Sequence, residues 1–224
     1  MLKKMPKIDK KQIAYNRKAR ASAVEYIVIH DTANTKKGAD ADAHFEYFNG
    51  GNRNSSADFF VDDKKILQVN DYTKYYTWQV GDGKGRYGIT NQNSIGIEIC
   101  INADGDYEKA FKNTVELTKY LMKELNVPAE RVVRHYDASR KNCPASMNKN
   151  EWAKWYEFKS LLEENSMNKF IDIGGNFAQK DIEELYEMGI IQGITDVEFK
   201  PDEVATRAQI ARIARNIIRY ITGE

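Results

Sequence analysis

Five side chains in the 224 residues are imidazoles or thiols: His30, His44, His135, Cys100 and Cys143. His30 closes the β-branched run Val24-Glu25-Tyr26-Ile27-Val28-Ile29, and His135 closes Arg131-Val132-Val133-Arg134, so each is expected at a strand end. Cys143 follows His135 by eight residues and precedes Pro144. Two imidazoles and one thiolate make three ligands. A structural zinc site usually has four protein ligands, whereas a catalytic one keeps a position for water. Zinc brings the pKa of its bound water to about 7 and polarises a neighbouring carbonyl. His30, His135 and Cys143 together therefore predict hydrolytic zinc chemistry.

The residues around this set fit the same chemistry. In Ser94-Ile95-Gly96-Ile97-Glu98-Ile99-Cys100-Ile101 the isoleucines share one face of a strand, and Gly96, Glu98 and Cys100 share the other. Glu98 is placed to act as a general base that takes a proton from the attacking water and delivers it to a departing amide nitrogen. Gly96 would leave room beside it for a substrate backbone or a water. Lys141, two residues before Cys143, is placed to stabilise a tetrahedral oxyanion. Cys100 competes with Cys143 as third ligand because it shares the Glu98 face, but its apolar neighbours favour a buried, inert thiol. Asp137 either orients a ligand imidazole or caps a turn. His44, in Asp42-Ala43-His44-Phe45-Glu46-Tyr47-Phe48, falls in a helix and reads as a surface or packing residue.

The elements that must carry these groups are legible from periodicity. The run 24–30 is a buried strand, and 58–61 with 65–69 flank a turn-prone Asp62-Asp63-Lys64, as in a β-hairpin. The loop Gly81-Asp82-Gly83-Lys84-Gly85 lacks the strand-to-helix context and Gly-Lys-Ser/Thr ending of a phosphate cradle. Phe111, Val115, Thr118, Met122 and Leu125 mark an amphipathic helix that closes before Pro128. A further helix is centred on Trp152, Trp155, Phe158 and Leu162. It runs into the polar stretch 163–168, which is read as a domain boundary. Beyond it, Ala178–Met188 forms one helix with Gly189 at its end. Thr206 and Gln209 have capping-box spacing before the apolar stripe Ile210, Ile213, Ala214, Ile217, Ile218 and Ile221. Two helices in about 55 residues make a thin core, so this tail is expected to dock or self-associate.

A hydrophobic share of 42% is too apolar for a disordered chain, while the apolar runs are too short to span a bilayer, so no membrane insertion is expected. Two cysteines in a chain of this length suggest metal binding or burial in preference to a disulfide framework. Positions 1 to 20 carry eight Lys or Arg against one acid, Asp9, which reads as a solvated basic arm; no nucleic-acid groove is indicated. The basic start lacks a following apolar stretch, so cytoplasmic synthesis without a signal peptide is expected.

Four ordered segments resemble the motifs of zinc-dependent N-acetylmuramoyl-L-alanine amidases of type 2, which include phage endolysins and are related to peptidoglycan recognition proteins. They are Ile27-Val28-Ile29-His30-Asp31-Thr32, Asn93-Ser94-Ile95-Gly96-Ile97-Glu98, Arg134-His135-Tyr136-Asp137 and Lys141-Asn142-Cys143-Pro144. The resemblance covers about positions 12 to 164. It implies an α/β fold with a central mixed sheet flanked by helices, and a domain 1–164. It implies Zn2+ held by His30, His135 and Cys143, with Glu98 as catalytic glutamate and Lys141 as oxyanion lysine. The implied reaction is hydrolysis of the bond between N-acetylmuramic acid and L-alanine in peptidoglycan, by an enzyme released to the wall at lysis. A recognition protein that binds without cutting, or a host autolysin, would share the fold; the retained Cys143, Glu98 and Lys141 favour an enzyme. A tyrosine used by some members would fall near Ala57, and a frequent histidine is replaced by Gln79. The segment 169–224 resembles one S-layer homology module, through Phe170-Ile171-Asp172, Gly189-Ile190-Ile191-Gln192-Gly193, Phe199-Lys200-Pro201 and Thr206-Arg207-Ala208-Gln209. This implies a small all-α unit that binds secondary cell-wall polymer or forms a homo-oligomer.

Overall fold

A computed structural model describes residues 7–163 and 170–223. The chain divides at Glu163 into two compact units. Most of the polar stretch read as the boundary lies outside the described residues.

The first unit runs β1 (Ile8–Lys10), β2 (Arg17–Ala19), β3 (Tyr26–Asp31), α1 (Ala41–Asn49), β4 (Phe59–Val61), β5 (Ile66–Gln68), β6 (Tyr75–Thr77), β7 (Ser94–Ile99), α2 (Tyr107–Leu125), β8 (Val132–Arg134), α3 (His135–Ser139) and α4 (Lys149–Glu163). Six strands form one mixed sheet in the order β1-β5-β4-β7-β3-β8, and β2 pairs with β6 separately. Within the large sheet only the β4–β5 hairpin is antiparallel. Asp62 makes that turn by accepting from the Lys64 and Lys65 amides, both at 2.8 Å. β7 lies parallel between β3 and β4 with Ile27 opposite Ile95, Ile29 opposite Ile97, and Phe59 also opposite Ile97.

Side-chain alternation then sorts the two faces. Ile27, Ile29, Ile95, Ile97 and Ile99 meet Phe111, Val115, Leu117 and Leu121 of α2 and Trp155, Phe158 and Leu162 of α4 in the main core. Each such side chain contributes about 1.5–3 kcal/mol by leaving water. On the opposite face, Phe60, Leu67 and Cys100 pack with Ala41 and Phe45 of α1. Val28 packs with Val80, Ile89 and Ala138. The opposite face therefore has room for polar groups between two small apolar clusters, and Glu98 and His30 project there.

α2 starts on Asp106, whose side chain accepts from the Lys109 amide, and ends on left-handed Asn126. A polar anchor holds the start of β4: buried Asp58 accepts from Asn70 Nδ2 at 2.7 Å, Thr77 Oγ1 at 2.8 Å and the Gly96 amide at 2.8 Å. Burial pushes its carboxyl above the ordinary range, opposed by those bonds and by the charge of Arg20.

The second unit contains α5 (Gln179–Glu187) and α6 (Arg207–Thr222) over a core of Phe170, Ile173, Ile182, Ile190 and Ile191. Thr206 and Gln209 form the expected capping box. Gly189 follows α5 at φ 68°. No helix among the described residues is long and apolar enough to cross a membrane.

Candidate metal and catalytic centre

His30 is the fifth residue of β3, and the parallel register sets it beside Glu98 of β7. Their side chains share a face, with His30 Nδ1 3.9 Å from Glu98 Oε1. His135 departs from the strand-end expectation. β8 stops at Arg134, and His135 is the first residue of α3. The switch is local: Asp137 turns back to accept from the Arg134 amide at 2.9 Å and from the Arg134 guanidinium at 2.9 and 2.7 Å. Asp137 is thus a cap and not a partner of a ligand imidazole, which resolves the alternative left open above. The His30 and His135 rings meet edge-on with centroids 4.7 Å apart.

Cys143 lies in the loop after α3, where Tyr136 donates its amide to the Cys143 carbonyl at 2.9 Å. Asp31, next to His30, holds this loop in place. Its carboxylate accepts from the Ser146 amide at 2.6 Å and the Ala33 amide at 3.2 Å. Cys143 Sγ is 3.8 Å from His30 Nδ1. One ligand atom from each of His30, His135 and Cys143 falls within 4.8 Å of the others, and all three residues are buried.

Electrostatics suit a cation there. Burial and then the neighbouring His135 hold His30 well below the ordinary imidazole range, and burial lowers His135 too, so both rings are neutral at pH 7 and have a lone pair to offer. His135 Nδ1 is buried with no hydrogen-bond partner among the described residues, as is Glu98 Oε2. An orphaned nitrogen beside a thiol and a second imidazole is the donor set zinc accepts. Burial, then the charge of Asp31, pushes Glu98 up to about 8. The exposed Lys141 brings a positive charge that opposes this and also acts on both histidines and Cys143.

Two groups reach the imidazoles that the sequence did not place there: Gln79, met in the sequence only as the replacement of a frequent family histidine, and Asp82, met only within a glycine-rich loop. Gln79 Oε1 lies 2.9 Å from His30 Nε2, and Asp82 Oδ1 lies 2.8 Å from His135 Nε2. Both come from the segment 79–83, far from the histidines in sequence. The signals in the sequence were the glycines and, for Gln79, the family position at which it stands. A Cβ on Gly96 would stand 2.1 Å from Gln79 Oε1, so the space read as room for substrate is filled by this amide. A Cβ on Gly83 would stand 2.2 Å from the Ala138 carbonyl oxygen, so the loop packs directly on α3.

Cys100 and His44 form a separate buried pair, Sγ to Nδ1 3.9 Å, with His44 stacked on Phe60 and bonded through Nδ1 to the Asp40 carbonyl at 2.7 Å. Of the surface and packing roles open to His44, burial leaves packing, and burial is the state expected of Cys100.

Residues 20–146 match the N-acetylmuramoyl-L-alanine amidase family, and residues 169–211 match the S-layer homology domain. The chain is similar to N-acetylmuramoyl-L-alanine amidase CwlH of Bacillus subtilis (strain 168), 47% identical over 132 residues that cover 59% of this chain and 52% of the relative. It is similar to N-acetylmuramoyl-L-alanine amidase XlyA of the same organism, 44% identical over 134 residues covering 60% and 44% of the two chains. The chain thus spans about half the length of these curated relatives. Among solved structures, the catalytic domain of XlyA matches with a TM-score of 0.63 at 40% identity, over 70% of this chain and 99% of that one. PlyL matches with a TM-score of 0.60 at 31% identity, over 70% and 96%. The mixed sheet with flanking helices is the architecture expected from the sequence.

Proposed function

The chain belongs to the N-acetylmuramoyl-L-alanine amidase family, and from that premise we propose that it is a peptidoglycan hydrolase that cuts the amide between N-acetylmuramic acid and L-alanine. The observation that carries this is the meeting of His30, His135 and Cys143 at one end of the sheet with Glu98 beside them. His30, His135 and Cys143 would hold Zn2+. Bound there, zinc polarises the scissile carbonyl and makes water a nucleophile near neutral pH.

The remaining work falls to the protein. Glu98 takes the proton of the attacking water and hands it to the leaving nitrogen; burial, by raising its carboxyl, makes its carboxylate the stronger base for the first transfer. Lys141 faces the developing oxyanion, where a fixed positive charge favours the tetrahedral geometry. Asp31 keeps the Cys143 loop against β3 and so keeps the ligand set together. Digestion of purified cell walls with and without a chelator tests this. New L-alanine amino termini, suppressed by the chelator, are expected; new reducing sugars would overturn it.

The catalytic domain of this reading is 1–164, and 169–224 is a wall-binding module for secondary cell-wall polymer. The enzyme acts on the bacterial wall in the manner of a phage endolysin. A homo-oligomer through the module is supported by α6. Ile210, Ala214, Ile217 and Ile221 recur at heptad spacing, and the three isoleucines are 57%, 39% and 76% exposed.

A further inference from the structure

The two imidazoles are gripped from behind by different chemistry, and hydrogen-bond direction determines what each ring presents to the centre. The Thr90 carbonyl can only accept, so Ser94 Oγ donates to it. With its proton committed, Ser94 Oγ accepts from Gln79 Nε2 at 3.1 Å. That orients the amide with Oε1 toward His30 Nε2 at 2.9 Å. A carbonyl oxygen accepts, so Nε2 carries the ring proton and Nδ1 turns a bare lone pair toward Cys143.

On the other ring, Asp82 accepts at Oδ1 from His135 Nε2 at 2.8 Å and from the Gly83 amide at 3.0 Å, and at Oδ2 from Ser139 Oγ at 2.9 Å. The Lys141 amide donates in turn to Ser139 Oγ at 3.3 Å. His135 Nδ1 is left as the orphan nitrogen. Gly96 and Gly83 are the two places where any Cβ would displace these props.

We infer that Gln79 and Asp82 are positioning residues that lock both rings as Nε2–H tautomers with Nδ1 free for a metal, and that they act unequally. This rests on the reading of the cluster as a metal centre. Asp82, a carboxylate, pulls on the His135 proton and makes that ring the stronger donor; Gln79, a neutral amide, fixes the direction of His30 without adding charge. The loop 79–83 thereby tunes a centre to which it contributes no ligand.

Two measurements on the full chain test it. Two-bond 1H–15N spectra of the metal-free protein should show both His30 and His135 as Nε2–H tautomers. Competition with a chromophoric chelator should show zinc affinity falling roughly 10- to 100-fold in Asp82→Ala and less in Asp82→Asn, which keeps an acceptor oxygen. Gln79→Leu should weaken zinc about tenfold and release the His30 tautomer while leaving His135 as it was. Amide spectra check folding, and the half-exposed Asp82→Asn carries the test if Asp82→Ala does not fold. An Nδ1–H tautomer on either ring of the unaltered chain, or variants within twofold of its affinity, overturns the inference. An unaltered chain that takes up no zinc overturns the metal reading instead, and the tautomer spectra still decide the positioning.

Discussion

Replacing Glu98 by Gln should make the metal-free protein more stable at pH 8 while abolishing most turnover. Glu98 Oε2 is shut off from solvent without a partner, although about a fifth of the side chain is accessible, 21%. Its carboxyl is raised from 4.5 to about 8. A carboxyl with a raised folded-state pKa binds more protons folded than unfolded between those values. Its stabilising effect is complete below 4.5 and is lost as pH rises toward 8. Integrated over that window the loss is on the order of 4 kcal/mol. Glutamine has no proton to lose and escapes it. His30 and His135, held low, contribute in the opposite sense, gaining as pH rises through 6.5, and they do so in both chains. The assay is urea denaturation of chelator-treated protein at pH 5 and pH 8. The unaltered chain should lose several kcal/mol more than Glu98→Gln across that interval. Loss of the general base should lower wall hydrolysis about 10²- to 10⁴-fold with zinc uptake retained. Parallel pH profiles for the two chains would refute the reasoning about burial, and unchanged hydrolysis would remove Glu98 from the mechanism.

Cys143→Ser should lose zinc and activity while Cys100→Ser keeps most of both, measured by metal content and wall digestion; the reverse would mean that the His44–Cys100 pair holds the metal. Asp58→Asn should destabilise by about 3 kcal/mol in urea, because three donors converge on an acceptor-only carboxylate and an amide must turn a donor toward one of them. Deleting 168–224 should leave cleavage of soluble muropeptides intact and reduce binding to intact walls. Ile217→Lys in the full chain should abolish self-association in sedimentation experiments.

Local pattern and long-range contact explain what the sequence disclosed. Strict alternation along 94–101 places Glu98 opposite the isoleucines, and the run ending at His30 has the composition of a buried strand; both survive because period two leaves no choice of face. His135 was placed on a strand because Val132 and Val133 read as β, whereas the Arg134–Asp137 cap turns the chain into a helix one residue earlier than the hydrophobic pattern predicts. Gln79 and Asp82 were hidden for a different reason. Their partners lie 49 and 53 residues away, and nothing local distinguishes an acceptor aimed at an imidazole from a loop side chain in solvent. At Gly96 the strand pattern shows that space exists and not that the Gln79 amide fills it.

The separation of the ligands along the chain has a mechanical consequence. His30 and Cys143 are 113 residues apart, so a cation bound by both is a cross-link that closes most of the first unit into a ring. By loop-closure reasoning a tie of that span removes unfolded-state entropy worth about 4–5 kcal/mol, comparable to a long-range disulfide. With two buried, unpaired cysteines the chain has no covalent staple of its own. The metal would then serve as the clasp of the fold as well as its reagent, and a protein that lost it outside the cell would be disarmed and loosened in the same event.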